Sequence, residues 1–298
     1  ALVAALPMLP GELGRAATVL SQEFGERSTF EILLLIAAFI GLGFGIEWLF
    51  RRLTSGFQRW FVQVPLDTVN QRLRAVAIRL GFGLGLITAF AVGSVGAFLA
   101  FDWPPLLKEV VLAYLIAFLG LRLALVFGRF LLAPGGERFR VLPMPTPTAW
   151  FWYRRLGVFV GWLAFGWVTV ELLVKLGMPG DVVRLIAYFL GLGLLAIGVE
   201  CVWRRPLEPS PESAPARMGA VGSSAVAWLM SAFFVLIWLL WVVNASGMFW
   251  LAVVAAGLPL LDKGARRAVN HVLRPANAAA GDERVPSVIG ASLTRGFR

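Results

Sequence analysis

Charge, cysteine and histidine are all scarce in this sequence. Only 15% of its 298 residues are charged, where a soluble domain carries about a quarter. Cys201 is the single cysteine and His271 the single histidine. One cysteine excludes a disulfide framework and a thiolate metal site within the chain. One histidine excludes a multi-histidine zinc centre. Hydrolase chemistry fails as well. GSVG at 93–96 offers Ser94 inside an apolar run, but His271 belongs to a different helix. The glycine strings GLGFG (41–45), GFGLG (81–85) and GLG (191–193) follow no strand, so they are not phosphate loops. No enzyme and no bound cofactor is expected.

What is abundant is apolar. The chain is 59% hydrophobic with a mean hydropathy of +0.79. Several runs reach roughly 20 apolar residues, enough to cross a hydrocarbon layer about 30 Å thick. Backbone groups in lipid must be satisfied within the segment, which selects helices. Barrel strands would be shorter and alternate in polarity. The fold class is therefore all-α, a polytopic membrane domain of about seven transmembrane helices. The expected spans are 30–50, 77–101, 106–132, 153–176, 181–203, 224–243 and 248–261.

Cations set the expected orientation. Arg51, Arg52, Arg59, Arg72, Arg74 and Arg79 follow the first span. Arg138 and Arg140 follow the third, Arg204, Arg205 and Arg217 the fifth, and Lys263, Arg266, Arg267 and Arg274 the seventh. The alternate loops at 101–105, 176–181 and 244–247 are short and poor in cations. Odd-numbered spans should end inside, with the N-terminus outside, in the periplasm of a bacterium whose inner membrane holds the protein. The net charge of +10 then reads as basic loops facing an anionic leaflet, not as a nucleic-acid surface.

One phrase occurs twice: GIEWLFRR at 45–52 and GVECVWRR at 198–205. Both close an outside-to-inside span, four spans apart. This suggests a four-helix tandem repeat, with a first unit at 30–180 and a truncated second unit at 181–275. A shared membrane-exit pattern would also produce the phrase twice. Residues 1–29 form an outer segment with a short amphipathic helix, and 276–298 an inner linker. TRGFR at 294–298 stands where a further span should open.

Within the phrase, Glu47 and Arg51 are four apart, as are Glu200 and Arg204. Such pairs meet on one helix face. With Arg52 and Arg205 they read as anchors that fix the depth at which the helix leaves the membrane. Arg122 is the most interior cation. It needs a carboxylate, a carbonyl or water nearby, or it snorkels toward the side of Arg129. Glu171 and Lys175 pair at helical spacing at the opposite face, where Lys108 and Glu109 open the third span. Gly41 with Gly45, Gly81 with Gly85, and Gly157 with Gly161 have the spacing of close helix contacts. Mid-span polarity is limited to Thr88, Ser94, Thr169 and Ser231, which argues against an ion-coupled carrier.

The inner loops carry more pattern. Apolar residues recur at helical spacing through Leu53, Phe57, Trp60, Phe61 and Val64, and again after Pro65 through Leu66, Val69, Leu73 and Val76. Two interfacial amphipathic helices are expected there, with Trp60, Phe61, Arg72 and Arg74 touching lipid. A shorter one is expected after the seventh span. PLEPSPESAPAR at 206–217 is a proline-rich linker.

FLAFDWPPLLKEVVLAYLIAFLGLRLALVFGRFLLAP (98–134), GERFRVLPM (136–144) and GLGLLAIGVECVWRRP (191–206) resemble the N-terminal membrane region of large bacterial channels of the small-conductance mechanosensitive family. The resemblance covers most of the chain through apolar motifs of low specificity. It implies paddle helices around a heptameric pore, and hence a homo-oligomer. The family's glycine- and alanine-ridged pore helix and β-rich domain are not found in this sequence, so no pore or gate residue carries over. The expected function is a lipid-contacting sensor that transmits tension to a pore outside this chain. The alternatives are a small-solute transporter with Arg122 lining its pathway, and a membrane scaffold.

Overall fold

The computed structural model describes residues 29–56, 69–133, 144–206 and 216–272, with scattered positions between 7 and 18. Helix is the dominant regular structure of the described residues, which include no strand. Seven long helices follow one another: α1 (Thr29–Leu53), α2 (Val69–Ala91), α3 (Pro105–Leu132), α4 (Thr146–Lys175), α5 (Gly180–Trp203), α6 (Ala216–Val242) and α7 (Ser246–Val272). Proline at the first helical turn starts α3 and α4, where its missing N–H costs nothing. Helix α4 stops at Gly177, whose φ of +72° suits glycine, with Met178 N–H donating to the Leu173 carbonyl at 3.2 Å. Asn244, at φ +61°, ends α6 in the same way.

Among the described residues, six helices are long and apolar enough to span a membrane. The expected seventh span differs. The apolar part of α7 runs only from Ser246 to Pro259, about 21 Å at roughly 1.5 Å per residue, short of a full crossing. The helix continues past Pro259 to Val272, so the expected short amphipathic helix is its second half. The second amphipathic segment likewise is no separate element: Val69, Leu73 and Val76 belong to α2, which runs unbroken into the span. Residues 57–68, including Trp60 and Phe61, lie outside the described residues, as do Arg138, Arg140, most of the 206–217 linker and 276–298.

Helices α1, α2 and α3 pack against one another. A cluster of Ile32, Phe98, Leu107, Val110, Val111 and Leu115 closes this bundle at the end far from the arginines. There Trp103 stacks on Phe98, centroids 5.3 Å apart, and donates its indole N–H to the Phe98 carbonyl at 2.9 Å. Helix α2 ends through one π-helical turn, Val92–Gly96, and a final α turn, Ala97–Leu99. The turn brings Gly93 onto α1: a Cβ there would lie 2.9 Å from the Gly43 Cα and 3.1 Å from the Leu42 carbonyl oxygen. Ser94 is fully buried and donates to the Phe90 carbonyl at 2.8 Å. That hydrogen bond answers its polarity.

The glycine contacts differ from those the spacing suggests. Gly41, Gly45 and Gly81 face open space; Gly85 does approach a neighbour closely, Phe50, and so do Gly43, Gly83 and Gly93, which the spacing does not single out. Of the expected faces only Gly157 and Gly161 pack as expected, against Leu125 and Leu121. A four-residue spacing marks one helix face but not which face meets a neighbour.

From α3 onward, each helix packs chiefly on the one before and the one after, and α7 also touches α2. Tyr114 and Thr169 hydroxyls join α3 to α4 at 3.1 Å. Trp162 donates to the Leu190 carbonyl at 2.8 Å, and Tyr188 to the Val242 carbonyl at 3.2 Å. The α1–α3 packing is not mirrored in the second half, where α5 and α7 make at most marginal contact among the described residues.

Candidate functional site

Among the described residues the most buried charge is Glu47, 2% exposed, on the inward face of α1. Two arginines reach it. Arg51, one turn on, donates to Oε1, and Arg122 of α3 pairs with Oε2. Arg122 therefore meets its need for a carboxylate by crossing to α1 instead of snorkelling alone. It lies ten residues before the end of α3, about 15 Å of helix, deep enough for hydrocarbon to surround it. An arginine at the bilayer centre costs about 2.5–3.5 kcal/mol on insertion scales, and a buried counter-ion offsets much of that. Aromatic faces complete the setting. The Arg122 guanidinium carbon sits 4.5 Å from the Phe44 ring centroid and 5.2 Å from that of Phe90, within cation–π range.

Beyond this pair, toward the arginine-rich end, lies a cavity of about 300 Å³ between α2 and α3. Arg51, Arg79, Arg122 and Arg129 all line it, with Tyr153 of α4 and apolar residues such as Phe82, Leu86 and Val126. Arg122 and Arg129 are seven apart on α3, so both face the same side. Arg79 donates to the Arg129 carbonyl at 2.9 Å. The Arg129 guanidinium lies 5.7 Å from the Tyr153 ring.

The second copy of the phrase is built differently. Glu200 at the end of α5 accepts two bonds from Arg155 of α4, at 2.6 and 2.8 Å, and one ion pair from Arg204 at 2.8 Å. Its side chain is 35% exposed. Trp203 beside it donates to Ser231 of α6 at 3.1 Å. Arg205 is half-buried just past the helix, and Arg204 is exposed. Arg52 is exposed and lies 5.3 Å from the Trp48 ring. Arg74 is exposed near the start of α2; the side chain of Arg72, in the same turns, lies outside the described residues.

At the far end, Lys175 pairs with Glu171 at 3.3 Å, as the spacing indicates, and also with Glu109 of α3. The cross-helix partners Glu47–Arg122, Glu200–Arg155 and Lys175–Glu109 escaped the sequence reading. An unexplained interior arginine was the one available signal. Comparison with protein-family models, curated proteins and solved structures finds no match to this chain.

Proposed function

We propose that this chain is the lipid-contacting sensor region of a mechanosensitive-type channel, passing membrane tension to a pore formed by other sequence. The observation that carries this reading is how little the helices cover one another. In α4 only 6% of the most apolar window is buried, and in α6 only 11%. Trp167, Phe189, Trp228 and Leu229 are each 66–70% exposed. Such surface belongs against acyl chains. Helices joined mainly to their chain neighbours can change in-plane area, and tension shifts population toward the larger area.

Spin labels on exposed positions of α4 and α6, in liposomes with and without osmotic swelling, test this directly. Their separation should change with tension and return on release. An unchanged distance distribution, together with silent patches under suction, would remove the reading. A small-solute carrier is the second reading, favoured by the arginine-lined cavity. Uptake of organic anions into liposomes that is lost in Arg122→Gln would put it first.

A further inference from the structure

We propose that the cavity between α2 and α3 is a binding site for a phosphate-bearing anion. Arg51, Arg122 and Arg129 line it, and one carboxylate, Glu47, pairs with the first two. The carboxyl ends of α1 and α3 close the same region and contribute about half a negative charge each. One positive charge is then in excess among Arg51, Arg122, Arg129 and Glu47. Arg129 has no carboxylate within ion-pair distance among the described residues, while its neighbour Arg122 does.

Arginine rather than lysine supplies every one of these charges. The guanidinium fork matches two oxygens of a phosphate, and its weak hydration lets it work in a half-dry place. The cavity's volume of about 300 Å³ falls at the lower end of ordinary ligand pockets, about 300–1,000 Å³. Its remaining wall is apolar, through Phe82, Leu86 and Val126. A charged mouth over an apolar wall suits a phosphate carried on a lipid. The charge alone suits a free phosphate or a small organophosphate. The division of labour follows from depth: Arg122 is held by Glu47, and Arg51, Arg79 and Arg129 lie nearer the helix ends where the anion would enter. The inference stands under either reading of the function.

The test uses the whole chain in a neutral detergent. Melting is followed with dihexanoylphosphatidylglycerol, with dihexanoylphosphatidylcholine, and with inorganic phosphate against chloride at equal ionic strength. A ligand that binds only the folded state raises the midpoint in proportion to the logarithm of its concentration. Arg129→Gln and the pair Arg51→Gln with Arg129→Gln should lower apparent affinity at least tenfold, and Arg129→Lys less. Native mass spectrometry of the folded variants counts bound lipid, so a variant that merely folds poorly is recognised. Stabilisation by phosphatidylglycerol alone assigns the site to a lipid headgroup. Stabilisation by inorganic phosphate assigns it to a soluble anion. Equal effects of phosphatidylcholine and phosphatidylglycerol, no effect of any probe, or undiminished binding in the double variant would overturn the proposal.

Discussion

GIEWLFRR and GVECVWRR end two helices with the same chemistry, yet their glutamates live in different media. The Glu47 side chain is 3% exposed and that of Glu200 is 35% exposed. Each pairs with the arginine one turn later and with one from a neighbouring helix. For Glu47 that neighbour is Arg122, inside a bundle of three mutually packed helices and between two aromatic rings. For Glu200 it is Arg155, on an open pair of helices. The lesson concerns dielectric. A local phrase sets which charges are available. Packing sets how strongly they interact, because Coulomb energy rises several-fold as water withdraws.

The sharpest break of this comparison is Glu47→Gln. It leaves Arg122 among apolar neighbours without its counter-ion, and the expected loss is about 3–5 kcal/mol. Reversible unfolding in mixed micelles measures it. The double variant Glu47→Gln with Arg122→Gln should lose less than the two single losses summed, because neither charge is then stranded. Strict additivity would mean that the pair carries no coupling.

The next largest effect is expected where α2 clasps the first copy. Gly93→Ala places a methyl group 2.9 Å from the Gly43 Cα and 3.1 Å from the Ile46 Cβ. Backbone has to move, at about 1–3 kcal/mol. The matching change on the looser side is Gly198→Ala, whose Cβ would sit 3.5 Å from the Phe234 ring. That is ordinary contact, so the variant should be neutral or gain up to about 1 kcal/mol from helix propensity. Melting curves of the two variants side by side decide the matter. Equal losses would show the two halves to be packed alike.

The smallest effect belongs to Glu200→Gln. Water screens this pair, and its loss should be a small fraction of that for Glu47→Gln. Salt separates the two further. Raising ionic strength from about 0.01 M to about 1 M shortens the screening length from about 30 Å to about 3 Å. The Glu200–Arg155 coupling, read by double-variant cycles, should fall while the Glu47–Arg122 coupling persists. If both fell together, the first pair would be as wet as the second.

The sequence by itself determined the class, the helices and the local pairs. Apolar runs in a chain with so few charges have one solution in lipid, because the backbone must bond within each segment. Lys175 with Glu171, Arg51 with Glu47 and Arg204 with Glu200 follow from one helical turn. The six long spans, α1 to α6, were legible for the same reason. The seventh was legible as a helix, and Pro259 with the charges after it held the apolar part short. Only the tertiary structure decided which glutamate is buried, that Arg122 finds Glu47 across 75 positions of sequence, and that four arginines line one cavity. It also decided that Gly43 and Gly93, rather than Gly41 and Gly45, form the close contact. The reason is physical. Hydrogen bonds within a helix depend on residues four apart, and their pattern is written locally. The rotation of one helix against another depends on side chains from distant segments meeting at once, and no single segment carries that information.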